Sequence, residues 1–173
     1  MHPIYTDRLV IRRFHACDGP ALYEYLSDPE VVAFEPYPPL SEEEALREAE
    51  RRAGGAAFYA VCLPGDKLIG NLYLGEGECG SRELGYVFHR GYWGQGYATE
   101  SVRALLRHAF AQSDVRRVTA QCDPQNPASW RMLERIGMRR EGTLLQNVYF
   151  RTVGDGAPIW KDIYLYAILR EEF

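Results

Sequence analysis

No stretch of the 173 residues is apolar for long enough to cross a membrane, and the opening M-H-P-I-Y-T-D-R-L has no apolar signal core. Both absences predict a cytoplasmic protein with no membrane partner. Positive charge is also scarce. Twenty Lys and Arg stand against 24 Asp and Glu, a formal net charge of −4. Neutralising the phosphates of nucleic acid needs the opposite balance, so nucleic acid is not expected as a partner. Cys17, Cys62, Cys79 and Cys122 form no C-x-x-C pair, which argues against a zinc site or a disulfide framework. His2, His15, His89 and His108 add no ligand spacing, so no metal is expected. Repeats, linkers and low-complexity stretches are missing too. The length suits one domain over residues 1–173.

What is present is a change of period along the chain. Arg8 to Phe14 reads as a strand, followed by a helix from Asp18, as N-cap, to Leu26. Asp28-Pro29 predicts a second helix start, and E-P-Y-P-P-L, 35–40, a stiff connection. Ser41 and Glu44 have the spacing of a capping box for a polar helix that Gly54-Gly55 ends. Strands are then expected over 58–63, 67–74 and 83–88, joined by short turns into an antiparallel meander. Helices over 97–112 and 128–136 flank a strand over 117–121, and strands over 144–151 and 159–169, joined by G-D-G-A-P, close the chain. The fold class is α/β, with a mixed, mostly antiparallel sheet flanked by helices.

Between the third meander strand and the next helix lies G-Y-W-G-Q-G-Y-A-T-E, 91–100. Glycines directly ahead of a helix N-terminus let an anion touch the main chain at the positive end of the helix dipole. A nucleoside-triphosphate loop would require Gly-Lys-Ser/Thr, but Tyr97 and Ala98 follow Gly96. A dinucleotide fingerprint would follow an early parallel strand unit, not an antiparallel meander.

The loop resembles the pyrophosphate signature of the GNAT superfamily of N-acetyltransferases. The wider pattern is similar to the branch with ribosomal-protein-alanine N-acetyltransferases. It includes T-D-R-L-V-I-R-R near the start, D-P-Q-N-P-A-S-W-R-M-L-E-R-I-G-M-R-R-E-G after the 117–121 strand, and W-K-D-I-Y-L-Y-A-I-L-R-E-E-F at the end. The resemblance implies the GNAT fold and acetyl-CoA as cosubstrate. It places Trp93, Gly94, Gln95, Gly96, Tyr97, Ala98 and Thr99 against the pyrophosphate. Trp93 stands where most of the superfamily has Gln or Arg, so backbone donors must do most of the holding. Asn126 and Ser129 match the second cofactor motif, although Asn126-Pro127 is also a good helix start. Arg131 and Arg135 are candidates for the coenzyme's phosphates. Leu133 occupies the place of a tyrosine acid found in many members.

Acetyl transfer to an amine requires a neutral nitrogen and a proton for the departing thiolate. Glu83 is the candidate base, on one strand face with Gly85 and Val87, while Leu84, Tyr86 and Phe88 face the other way. The alternative for Glu83 is a surface ion pair with an arginine. Ser129 is the candidate proton donor, and Glu100 reads as a helix-dipole partner. Trp160, Asp162, Tyr164 and Tyr166 share a strand face. Glu35, Tyr37, Glu83, Tyr149 and Asp162 are expected to face the acceptor, an acidic and aromatic set with no arginine cluster. The expected acceptor is therefore cationic: a small-molecule amine or a protein N-terminus, met by a monomer or homodimer. The competing reading is a module that senses acyl-CoA without turnover.

Overall fold

The computed structural model describes residues 2–154 and 156–173. A single eight-stranded sheet runs in the order β1-β2-β3-β4-β5-β6-β8-β7. Its strands are β1 (Ile4–Tyr5), β2 (Val10–Arg13), β3 (Phe58–Cys62), β4 (Leu68–Glu76), β5 (Ser81–Phe88), β6 (Arg117–Cys122), β7 (Arg139–Thr152) and β8 (Pro158–Leu169). Helices α1 (Gly19–Leu26) and α2 (Glu42–Ala53) cover one face; α3 (Tyr97–Phe110) and α4 (Pro127–Arg135) cover the other.

Strand alternation divides the core between these faces. Tyr59, Val61, Leu84 and Phe88 pack with Leu105, Leu106, Met132 and Leu133 from α3 and α4. Ala60, Cys62 and Val87 pack with Leu22, Tyr25, Ala45 and Ala49 from α1 and α2. The sheet is antiparallel throughout except at β5–β6, which run parallel from Ser81↔Arg117 to Leu84↔Ala120. Past that register the two strands have no pairing with each other, while β5 continues to Phe88 and β6 to Cys122. The sheet opens there into a wedge.

Several expectations need correcting. Asp28-Pro29 starts only hydrogen-bonded turns, with the Val31 and Val32 amides on the Asp28 carbonyl, and the chain then enters the irregular 35–40 connection. Pro36, Pro38 and Pro39 withhold the backbone donors a helix would need. Asp18 does not cap α1 with its side chain. Both its oxygens accept from Arg12, at 2.8 Å each, in a buried pair. β1 was not foreseen, and β7 starts earlier than expected, at Arg139, because register shifts interrupt its alternation. The Ser41–Glu44 box forms in both directions, at 2.8 and 3.3 Å. In G-D-G-A-P, Asp155 lies outside the described residues.

Candidate active site

The wedge between β5 and β6 is continuous with a cavity of about 750 Å³. Leu84 to Val87 of β5 and Gln121 to Asp123 form its sides. Asn126 and Ser129 close one end, and Glu35, Tyr37, Glu48, Arg51 and Arg52 stand at the other. A volume of this order accommodates a small-molecule ligand.

The α4 end is built by a helix start. The Asn126 side chain accepts the Ser129 amide at 3.2 Å, with Pro127 in the first turn, so the cap fixes where the Ser129 hydroxyl stands. That hydroxyl meets the Tyr86 hydroxyl at 2.7 Å, and Tyr86 also reaches the Ser129 carbonyl at 3.2 Å. Burial pushes the Tyr86 phenol well above its ordinary value, so both hydroxyls keep their protons at neutral pH. The sequence reading gave Tyr86 no role, placing it with Leu84 and Phe88 on the face turned away from Glu83. Residue spacing does not show that β5 leaves β6 just before this residue and opens its polar tip to the wedge. Burial likewise pushes the Cys122 thiol up to about 11, leaving it a poor nucleophile. Leu133 is fully buried in the core.

The glycine loop lies beyond this end. Gly94 and Gly96 have φ of +73° and +83°, and Gly96 is the N-cap of α3. A Cβ on Gly94 would meet nothing within 4 Å, and one on Gly96 only Arg8 Nη2 at 3.5 Å. Glycine is therefore required here by backbone shape rather than by crowding. Among the described residues, the amides from Gly94 to Thr99 donate to no group of the chain. This is a run of donors at the positive end of a 14-residue helix.

Arg8, which the sequence reading passed over, holds the loop by donating to the Gln95 carbonyl at 3.1 Å. It also pairs with Glu100, which accepts in addition from Thr6 Oγ1 at 2.6 Å. Glu100 thus ties the amino-terminal segment to the first turn of α3. The Trp93 indole donates to the Phe88 carbonyl at 2.7 Å, and the Gln95 amide to Gly91 at 3.1 Å. A second cavity, about 400 Å³, brings Gly96 and Thr99 together with Arg103, Arg107 and Arg135. Arg103 and Arg107 were missed because helix arginines look like a solvated face. Arg131 lies apart, exposed and 5.0 Å over the Trp130 ring.

The opposite end differs from the expected acceptor surface. Glu35, Tyr37 and Glu83 do line the cavity. Glu83 is exposed and makes no ion pair among the described residues. Tyr149 and Asp162 do not line it. Strand alternation turns them to the other face, where Tyr149 packs edge-on to Trp160 at 5.2 Å and Asp162 accepts the Gln146 amide at 2.8 Å. Val148, Phe150 and Ile163 take their places. Tyr166, on the same strand face as Asp162, is buried and donates to Glu134 at 2.9 Å.

Beyond the five expected residues, α2 brings Arg47, Arg51 and Arg52 into the wall, so the cavity is less uniformly acidic than that set. Glu48 accepts from both Arg51, at 2.6 Å, and Arg52, at 2.7 Å. Burial pushes the Glu35 carboxyl up to about 7, with the Tyr37 hydroxyl and the Arg52 charge opposing the rise. A carboxyl that exchanges its proton near neutrality, on the wall of a cavity, has the property a general base needs.

All four cysteines are free thiols. His15, Cys17 and Asp18 have potential ligand atoms within 4.8 Å of one another, but both Asp18 oxygens are already held by Arg12. No helix among the described residues is long and apolar enough to cross a membrane.

Comparison with known proteins bears on what this arrangement does. Residues 8–139 match the acetyltransferase (GNAT) domain family. The chain is 37% identical over 179 residues to the uncharacterized N-acetyltransferase YnaD of Bacillus subtilis, covering 100% of this chain and 99% of that protein. The crystal structure of a GNAT-family acetyltransferase from Bacillus anthracis superposes with a TM-score of 0.88 at 35% identity, covering 99% of this chain and 100% of that one. At lower identity, 26% over 152 residues, lies the Escherichia coli [ribosomal protein uS5]-alanine N-acetyltransferase, covering 79% of this chain and 78% of that protein.

Proposed function

We propose, since the chain belongs to the acetyltransferase (GNAT) family, that it moves the acetyl group of acetyl-CoA to a primary amine bound in the larger cavity. The observation that carries this reading is the run of free amides from Gly94 to Thr99, beside a sheet wedge that leads to paired hydroxyls. Those amides fit a pyrophosphate, and Arg103, Arg107 and Arg135 supply positive charge beside them. When bound, acetyl-CoA supplies an activated acyl group with a thiolate leaving group.

The chain's own residues supply the rest. Glu35 accepts the proton of the incoming ammonium, directly or through water. Main-chain groups of β5 that point toward β6 past Leu84 have no strand partner there and are available to the acyl arm and its developing negative charge. Tyr86 and Ser129, both protonated and 2.7 Å apart, provide a proton for the departing sulfur, one hydroxyl refilling the other. This pair substitutes for a tyrosine at Leu133. Glu83, exposed at the cavity wall, is better suited to attracting the ammonium than to removing its proton.

The test is a thiol-release screen over amines, amino acids, aminoglycosides and short peptides. Acceptor-dependent release supports acetyl transfer. Tight acetyl-CoA binding with no release for any amine would leave a sensor of acyl-CoA instead.

A further inference from the structure

Among the described residues, Arg52 alone has a buried side-chain polar atom without a hydrogen-bond partner. That atom is Nη1; the side chain is 3% exposed and lines the larger cavity. Buried guanidinium nitrogens are ordinarily paired, and an unpaired one carries a desolvation cost that folding does not recover.

The groups around it answer the guanidinium only in part. Its Nε donates to Glu48 Oε1 at 2.7 Å, but Glu48 also serves Arg51, so one carboxylate answers two guanidinium charges. Its Cζ lies over the Phe58 and Phe14 rings, 4.4 and 5.3 Å from their centroids. The Tyr25 hydroxyl donates to Asn71 at 2.8 Å and lies close enough to Arg52 to feel its charge, but it makes no hydrogen bond to Nη1. Glu35 is pushed toward neutrality by burial. Nη1 is thus left as a buried donor on the cavity wall with no hydrogen-bond acceptor among the described residues.

We infer that Arg52 selects an acceptor carrying a carboxylate as well as an amine, with the carboxylate on Arg52 Nη1 and the amine beside Glu35. This deepens the acetyltransferase reading and rests on it for the amine's fate. The substrate class is a zwitterion of amino-acid type. A polyamine, which carries no acceptor of that kind, would leave the Nη1 donor unanswered. The Nε bond to Glu48 and the packing of Cζ over Phe58 and Phe14 hold the guanidinium in place before a ligand arrives.

The experiment uses matched sets of three acceptors: an amino acid, its carboxamide, and the amine lacking the carboxyl group. Binding is titrated calorimetrically with CoA present, and turnover is followed separately by thiol release. Wild-type protein is expected to favour the amino acid. Arg52→Met, which keeps the stem, should lower its affinity and kcat/KM roughly 10- to 100-fold while changing the decarboxylated amine less than about 3-fold. Arg52→Lys should restore part of the carboxylate preference.

Indifference of the wild type to the carboxylate overturns the inference. So does an equal loss for all three acceptors in Arg52→Met, accompanied by a lower melting temperature, which marks Arg52 as a structural residue whose Nη1 is met by water. Arg52-dependent carboxylate binding without thiol release leaves the inference standing and counts against acetyl transfer. Release from amines regardless of carboxylate does the reverse.

Discussion

The two ends of the proposed site are built by different means. The end proposed for the coenzyme is made of backbone: amides freed by two left-handed glycines in the loop beyond the larger cavity, a helix start at Gly96, another at Asn126. The end proposed for the acceptor is made of side chains from separate segments, with Glu35 and Tyr37 from a turn-rich connection, Arg52 from α2, and Val148, Phe150 and Ile163 from β7 and β8. A backbone site is specified by a short contiguous run, because glycine spacing and a helix cap fix it locally. A side-chain site exists only after the sheet has brought distant positions together. That difference sets how each end should respond to substitution.

Gly96→Val should give the largest effect, lowering CoA affinity by roughly 100-fold or more while the fold survives. A branched residue resists a φ of +83°, yet the space around the missing Cβ is open, so the damage is confined to loop geometry. Gly85→Ala, in the side of the larger cavity, is the control. Its Cβ would sit 3.5 Å from Tyr73 Cβ, an ordinary contact, and CoA affinity should hold. Calorimetry with circular dichroism checks both variants. Unchanged CoA affinity in Gly96→Val would remove the loop from the site.

Ser129→Ala should lower kcat by roughly 10- to 1000-fold with little change in acceptor KM, the scale of a lost proton transfer. The cap survives, since Asn126 accepts the Ser129 backbone amide rather than its side chain. Tyr86→Phe sharpens the assignment. A similar loss there, with no further loss in the double variant, is the signature of two hydroxyls acting as one unit. Wild-type turnover in both would send the proton to water.

The sequence made one end of this site far more legible than the other. The meander, α3, α4 and the capping box at Ser41 follow from periodicity and from Gly, Pro, Ser and Asn placed at element ends. Asn126 and Ser129 were readable for the same reason. Tyr149 and Asp162 were misplaced because register shifts in β7 and the strand face of β8 cannot be counted from residue spacing alone. Arg52 looked like one more charge on a polar helix. Nothing local distinguishes it from Arg51, which is largely exposed, until Phe14 and Phe58 close over it.

Glu35 and Glu83 compete for the role of base, and pH separates them. With Glu35 as base, wild-type kcat/KM should rise as pH passes through about 7. Glu35→Gln should lose that limb and fall roughly 10- to 100-fold above it, with recovery only as the amine deprotonates unaided. Glu83→Gln should fall less and keep the limb near pH 7. The opposite pattern in the two profiles would return the role to Glu83.

The smallest effect is one of stability, and its sign is specific. Two carboxyls on the acceptor wall are displaced in opposite directions. Burial raises Glu35 to about 7, whereas Glu48, despite its own burial, is held below the ordinary value by Arg51 and Arg52. In the unfolded chain both return to about 4.5. Between pH 4.5 and 7 the folded protein therefore binds the Glu35 proton more tightly than the unfolded chain does, so this group's contribution to stability falls as pH rises through that window. Glu48 works the other way, its contribution present above pH 4.5 and lost as pH drops through its lowered folded value. Replacing Glu35 by Gln removes the charge that must be buried above pH 7, so the variant should be more stable than wild type there, by on the order of 1–3 kcal/mol. The gap should close as pH approaches 4.5. Denaturant titrations of the two proteins at pH 5 and pH 8 measure it. A variant no more stable than wild type at pH 8 would mean that Glu35 reaches water freely, and would remove the physical basis for its role as base.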